Sequence, residues 1–142
     1  MTLEQALKTK LLADAGLTAL IGSRLYPDNA IPQNVTTRPA LTYRHAGSDP
    51  THYLTGGRSE LERDTFEITA HSPNLSDCAA VRDYLRAMLS GTAARGVWGG
   101  AGGVTVRACL WQDVYQEDQN PADASEVRPR AVRGNLTILW QR

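Results

Sequence analysis

The sequence has little that would drive binding to nucleic acid or to a membrane. Lys plus Arg total 15 and Asp plus Glu total 15, so the formal net charge is zero. Dedicated nucleic-acid binders carry a positive excess, because neutralising phosphates supplies most of their affinity. No run of about 18 apolar residues is present, and the chain opens on a polar segment rather than an apolar signal sequence. We therefore expect no membrane partner and no export.

Cysteine is scarce, with only Cys78 and Cys109 in the chain. Without export, reduced thiols are expected rather than a disulfide. Cys78 falls on the apolar stripe of a predicted helix, where a cysteine behaves as a small apolar residue. Alternation along a predicted strand places Cys109 on the outer sheet face, beside Arg107 and Trp111. No base accompanies either thiol in the pattern, so inert thiols are favoured over a nucleophile.

Sequence patterns typical of metal or phosphate sites are also lacking. The three histidines, at positions 45, 52 and 71, show no metal-ligand spacing. The glycine cluster within residues 96–103 follows a predicted helix and precedes a strand, which reverses the order that a phosphate loop requires. It is interpreted as a connector. We expect no metal and no cofactor.

Glu60, Glu62 and Asp64 alternate along one predicted strand and would share a face. Paired carboxylates perform acid–base chemistry only in a shielded pocket. Because this strand is predicted to lie on an exposed hairpin, a solvated edge or an intersubunit contact is favoured. No catalytic residues are assigned, and an enzyme is not expected.

Hydrophobic periodicity predicts a single α+β domain over residues 1–142, with the order α-β-β-α-β-β. Thr2 and Gln5 form a capping box before the first helix, and a short helical turn over 17–22 closes at Gly22. An antiparallel four-stranded sheet covered on one face by two helices is expected. The loops are predicted at 23–38, 91–103 and 117–128, the strands from 40, 63, 104 and 128, and the long helix over 75–90.

The first two strands form a predicted hairpin around Gly56-Gly57. A two-residue turn there puts Tyr43 opposite Ala70 and His45 opposite Ile68. One face then carries Leu41, Tyr43, Phe66, Ile68 and Ala70, and the other carries Thr42, Arg44, Glu67, Thr69 and His71.

The hairpin is long for its chain. A strand over 41–55 spans about 50 Å, whereas a chain of this size has a radius of gyration of about 14 Å. A projecting arm over about 47–64 is therefore predicted. A bend is expected where Pro50 interrupts the ladder and Asp49 faces Asp64.

The last two strands show alternation and an asymmetry of charge. One face of the first of these strands is predicted to carry Val104, Val106, Ala108, Leu110 and Val114, and in the last strand Val132, Leu136, Ile138 and Trp140 are in phase. Five acids lie between Asp113 and Glu126, and four arginines lie from Arg128 onward. These are either two solvated surfaces or complementary surfaces of neighbouring copies.

The chain resembles the tail terminator (tail completion, tail-to-head joining) family of long-tailed phages and phage-like particles. Three segments carry the resemblance: "LEQALKTKLLADAGLTALIGSRLYP", "RPALTYRHAG" and "RDTFEITAHSPNLSDCAAVRDYLRAMLSG". It covers residues 1–91 well and the remainder loosely. The resemblance implies a non-enzymatic virion protein, assembled in the bacterial host cytoplasm, at the head–tail junction.

The resemblance further implies a ring, commonly of six copies, that caps the tail tube and docks the head connector. Contact with DNA in the lumen would be transient and non-specific. Alternatives are a head-side neck or adaptor protein, a monomeric binding module of an antitoxin or regulatory kind, and a small hydrolase. The candidate interface residues are Tyr53, Leu54, Arg58, Glu60, Leu61, Glu62, Glu117, Asp118, Arg128 and Arg130.

Overall fold

A computed structural model of the protein describes residues 2–28, 30–52, 58–89, 98–99, 104–118 and 130–141. Helices and strands alternate along the chain much as the periodicity predicts. The helices are α1 (Leu3–Ala13), α2 (Ala15–Ile21) and α3 (Leu75–Leu89), and the strands are β1 (Leu25–Pro27), β2 (Ala40–His52), β3 (Arg58–Ser72), β4 (Trp98–Gly99), β5 (Thr105–Asp118) and β6 (Arg130–Gln141).

Within these residues the strands form one six-stranded sheet in the order β1-β2-β3-β6-β5-β4. The α+β class is confirmed, but the prediction of four antiparallel strands is incomplete. β1 lies in the predicted 23–38 loop and pairs in parallel with β2, and β4 lies in the predicted 91–103 loop and pairs with β5. Strands of two or three residues are too short to show a period, so the sequence pattern misses them.

The helix termini follow local capping chemistry. The predicted capping box is present, because Thr2 Oγ1 accepts from the Gln5 N–H and Gln5 Oε1 accepts from the Thr2 N–H. Asp14 begins α2, since its carboxylate accepts from the Leu17 N–H at 2.9 Å. Gly22 ends α2 with a φ of 60°, a left-handed conformation that suits glycine.

The core lies between the helices and one face of the sheet, called the inner face below. Apolar residues at helical spacing pack against alternate residues of the four long strands. The helical contribution is Leu3, Leu7, Leu11, Leu17, Ile21, Cys78, Val81, Leu85 and Leu89, and the strands contribute Leu41, Tyr43, Phe66, Ile68, Ala70, Val106, Cys109, Trp111, Val132, Leu136, Ile138 and Trp140. The other face of the sheet is called the outer face.

The hairpin of β2 and β3 has the predicted faces in a different register. Tyr43 lies opposite Ile68 and His45 lies opposite Phe66, two residues from the predicted partners. A shift of two residues keeps the side chains as far as His45 on their predicted faces. Ala46 is an extra residue in β2, and beyond this bulge the shift is one residue, so Asp49 lies opposite Arg63 rather than Asp64 and changes face.

A second bulge corrects the predicted phase of β5. Val106 lies opposite Trp140 but Ala108 lies opposite Leu139, so Arg107 is the extra residue. Beyond it the alternation is inverted: Cys109 and Trp111 are buried, and Leu110 is 66% exposed. The predictions that Cys109 is outward and that Ala108 and Leu110 are inward are therefore wrong. Unbroken alternation was assumed, and one bulged residue reverses it.

Candidate assembly interface

The β2–β3 hairpin continues beyond the end of its neighbouring strand. The pairing of β3 with β6 ends where Leu61 meets Gln141. β2 and β3 nevertheless stay paired as far as His52 and Arg58. The portion from Leu61 to Asp64 of the predicted arm is thus flanked by a third strand, whereas Arg58, Ser59 and Glu60 lie beyond the last residue pair with β6.

A buried carboxylate fixes the base of this hairpin to the core. Asp64 Oδ1 lies 2.7 Å from His45 Nε2, and Asp64 Oδ2 accepts a hydrogen bond from Trp140 Nε1. The rings of His45 and Phe66 are in contact, with centroids 5.2 Å apart. A carboxylate removed from water needs such partners. This cluster ties β2, β3 and β6 together at the point where the hairpin leaves the sheet.

The same cluster lines an open cleft of about 270 Å³ against the N-terminus of α1. Glu62 and Asp64 lie on its wall together, so the prediction that they share a face is confirmed. The prediction of a solvated edge is wrong for Asp64, which is buried. Leu3 and Trp140 cover it from the inner face, and long-range packing of this kind has no signature in a strand's own alternation.

The outer face carries an apolar groove made by the bulge in β5. We define the outer-face groove as the open depression of about 470 Å³ that includes Asp49, Arg63, Ala108, Leu110 and Leu139. Leu110 is the only large apolar side chain classed as exposed among the described residues. The Asp49 and Arg63 side chains are exposed at its rim. The sequence signal that could have revealed this site is the non-alternating run Arg107–Ala108–Cys109.

The remainder of the outer face is polar and internally paired. Glu67 forms ion pairs with Arg44 at 3.0 Å and with Arg133 at 3.2 Å. Thr42 Oγ1 lies 2.9 Å from His71 Nε2. Burial lowers the pKa of His71, and the charges of Arg38 and Arg133 lower it further. These polar side chains are therefore in contact with one another across neighbouring strands.

Five of the ten predicted interface residues lie in strands at the two hairpin ends. Asp118 pairs with Arg130, and Glu117 pairs with Ala131, so these two acids lie opposite the start of β6. Arg58 pairs with His52, and Glu60 lies in β3 beyond the last β6 partner. The two ends lie at opposite ends of the sheet, because Arg130 pairs with Ser72, fourteen residues along β3 from Arg58.

The other five predicted residues have different outcomes. Leu61 and Glu62 are half-buried. Glu62 lines the cleft, and Leu61 alternates onto the outer face with Arg63. Tyr53, Leu54 and Arg128 lie outside the described residues.

Among the described residues, no group of three or more His, Cys, Asp or Glu is placed to hold a metal ion. No helix in this part of the chain is both long and apolar enough to cross a membrane.

A hairpin that outruns its sheet and an exposed apolar groove are features of proteins that assemble with other polypeptides. The family described as "Tail completion protein gp17" matches residues 5–128, and the chain belongs to this family. It is therefore a structural protein of a phage-type tail and not an enzyme, as the sequence resemblance implied. Its place is the virion tail.

A solved structure shares the fold over nearly the whole chain. It is a chain of the "Virion of native gene transfer agent (GTA) particle", with a TM-score of 0.66 and 16% sequence identity. The match covers 99% of this chain and 95% of that chain. Among curated proteins, no match is found.

Proposed function

We propose that the protein forms a ring of six copies that ends the tail tube and joins the tail to the head connector. Family membership supports a role in the tail. The six-membered ring and its two partners, the tail tube and the head connector, are what this proposal adds. A ring arises from a head-to-tail contact between two different surfaces of one chain. Its lumen would pass DNA with transient, non-specific contacts, which a net charge of zero allows.

The observation that carries this proposal is the hairpin extension past Leu61. Two strands without a third neighbour and without helices over them are marginally stable in water. Contact with a second polypeptide would bury the side chains of the extension and stabilise it. Tyr53 and Leu54 are the apolar residues in the sequence between its two strands. We assign them as the anchors of the contact, flanked by Arg58 and Glu60.

The β5–β6 end supplies a second, polar contact in this proposal. Asp118 and Arg130 lie at its last described pair. The acidic run that includes Glu117 and the basic run that includes Arg128 would meet complementary runs on the adjacent copy. Such charges fix the register of a contact more than its strength.

The test shortens the hairpin without cutting into the sheet. Residues 53–57 are replaced by Asn-Gly, a two-residue turn, which leaves the His52–Arg58 pair and everything below it. We expect this variant to fold with an unchanged Tm and to remain monomeric in sedimentation velocity. The wild-type protein should form rings visible by negative-stain electron microscopy, alone or on added tail tubes.

Two smaller changes in the same segment, one at the proposed anchors and one beside them, test the anchors directly. The double variant Y53S/L54S should lose assembly, and T55S in the same segment should keep it. A monomeric wild-type protein that neither forms rings nor binds tail tubes would instead support a binding module. Pull-down with the tail tube protein and with the connector protein separates a terminator, which binds both, from a neck protein that binds only the head side.

A further inference from the structure

We propose that the outer-face groove around Leu110 binds the hairpin tip of a second copy of this chain, with Tyr53 and Leu54 as the apolar contacts. This inference rests on the proposed function and names the acceptor surface for the arm. Its evidence is the exposed side of β5, β6 and β3, together with the reach of the hairpin.

The groove results from the bulge in β5 and consists of more than one exposed leucine. The extra residue Arg107 turns Leu110 outward, where it is 66% exposed. Leu110 lines the depression with Ala108 and the half-buried Leu139. Single exposed apolar residues are ordinary, but an apolar side chain in a depression of about 470 Å³ offers a pocket for an anchor. Unbroken alternation would have buried Leu110 and exposed Cys109.

The tip of the same chain cannot reach Leu110, which lies at the end of the groove farther from the tip than Asp49 and Arg63. Leu110 pairs with Thr137 of β6, which in turn pairs with Thr65 of β3. Leu110 therefore lies beside Thr65 in the sheet, seven residues along β3 from Arg58. Seven residues of strand span about 23 Å. The chain from His52 to Arg58 has six Cα–Cα steps and a contour length of about 23 Å. A loop of this length can fold back over its own strands by at most half of that, about 11 Å. An intramolecular contact falls short by roughly half the distance.

A second copy brings the required chemistry. On the outer face Glu67 pairs with Arg44 and Arg133, whereas Leu110 in the groove is the exposed large apolar side chain of the described residues. The segment between β2 and β3 contains Tyr and Leu side by side. A zero net charge leaves no long-range repulsion between copies. Groove and tip are different surfaces, which is what a head-to-tail contact requires.

The first experiment compares L110D with Q112D in the full chain. Gln112 is exposed, lies two residues along β5 on the same face, and is outside the groove lining. We expect L110D to weaken self-association in sedimentation velocity by at least about tenfold, the effect of losing one good apolar anchor. Q112D should change it by less than about twofold. Both variants should keep the wild-type Tm, since both side chains are exposed.

The second experiment identifies the occupant. L54C and L110C variants are mixed under mild oxidation, and the product is mapped by mass spectrometry. We expect a disulfide between positions 54 and 110 of different copies. L54C mixed with K8C should give none, because Lys8 is exposed on α1 in the other layer. A protein that gives no 54–110 cross-link at any concentration up to about millimolar overturns the assignment.

The outcomes separate this inference from the proposed function. If the Asn-Gly variant assembles normally, both the arm contact and its acceptor are wrong. If that variant fails to assemble while L110D assembles like wild type, only the groove assignment is wrong. If L110D self-associates normally but no longer binds tail tubes, the occupant is the tube protein, and the assignment of a second copy is overturned.

Discussion

Gly134 and Trp111 form a contact that permits no further atom between them. Gly134 lies in β6 on the inner face, directly across from Asp113. A Cβ built on Gly134 would overlap the indole ring of Trp111. Trp111 is itself buried and donates from Nε1 to Asp113 at 2.7 Å. The ring therefore has little freedom to move.

We predict that G134A destabilises the protein by about 1–3 kcal/mol, the usual cost of overpacking a core. Urea unfolding followed by fluorescence measures this as a lower midpoint. G47A is the control, because a Cβ there meets nothing within 4 Å. It should stay within about 0.5 kcal/mol of wild type. Equal midpoints for the two variants would contradict the contact.

His71 makes stability depend on pH in a defined direction. Burial lowers its pKa below the ordinary value of 6.5, and Arg38 and Arg133 add to the effect. The unfolded chain therefore takes up a proton near pH 6.5 while the folded protein does not. Stability from this residue is present above about pH 6.5 and is lost as pH falls toward the lower folded value.

We predict that H71Q flattens the fall in unfolding free energy just below pH 6.5. Urea denaturation of both proteins at matched pH values measures the two slopes. Above pH 7.5 the curves should run parallel, since neither protein titrates at this position there. Identical slopes below pH 6.5 would show that His71 protonates equally in both states.

At the scale of elements, the bulge at Arg107 decides which residues of β5 face the core. We predict that Cys109 and Cys78, both buried, react with a thiol reagent only when the protein opens. The variant L110C should react at once, because position 110 is exposed. Ellman's reagent under native conditions and in urea measures both rates. Fast labelling of Cys109 in the native protein would contradict the bulge and show that Cys109 faces outward, as unbroken alternation predicts.

The predictable part of the fold depends on patterns that are local. The helices and the two faces of the β2–β3 hairpin follow from periods of 3.6 and 2. The exact register does not, because the pairing is shifted by two residues before the Ala46 bulge and by one residue beyond it. The short parallel strand β1 forms through contacts with distant residues, as in the hydrogen bond from Leu41 N–H to Arg24 O.

The candidate site was predictable in its general place and not in its detail. The long alternating runs around Gly56-Gly57 pointed to the hairpin. The burial of Asp64 was missed because its partner Trp140 lies 76 residues away in sequence. The outer-face groove was missed because one bulged residue turned Leu110 outward.

At the scale of the whole molecule, zero net charge and an apolar anchor set the conditions for assembly. We predict that self-association weakens by no more than about threefold between 50 and 500 mM salt, because screening acts mainly on exposed charges. Sedimentation velocity at constant pH measures it. A steep loss of affinity with salt would instead assign the driving force to the acidic run from Asp113 and the basic run from Arg128.

The pairing of β3 with β6 has a mechanical consequence. Twelve consecutive residue pairs, from Leu61–Gln141 to Ser72–Arg130, join the two strands. Tension applied to the end of β3 along its axis would load these hydrogen bonds in shear, so that many must break together rather than one after another. Under the proposed arm contact, a pull on the hairpin therefore loads the whole β3–β6 ladder instead of separating its pairs one at a time.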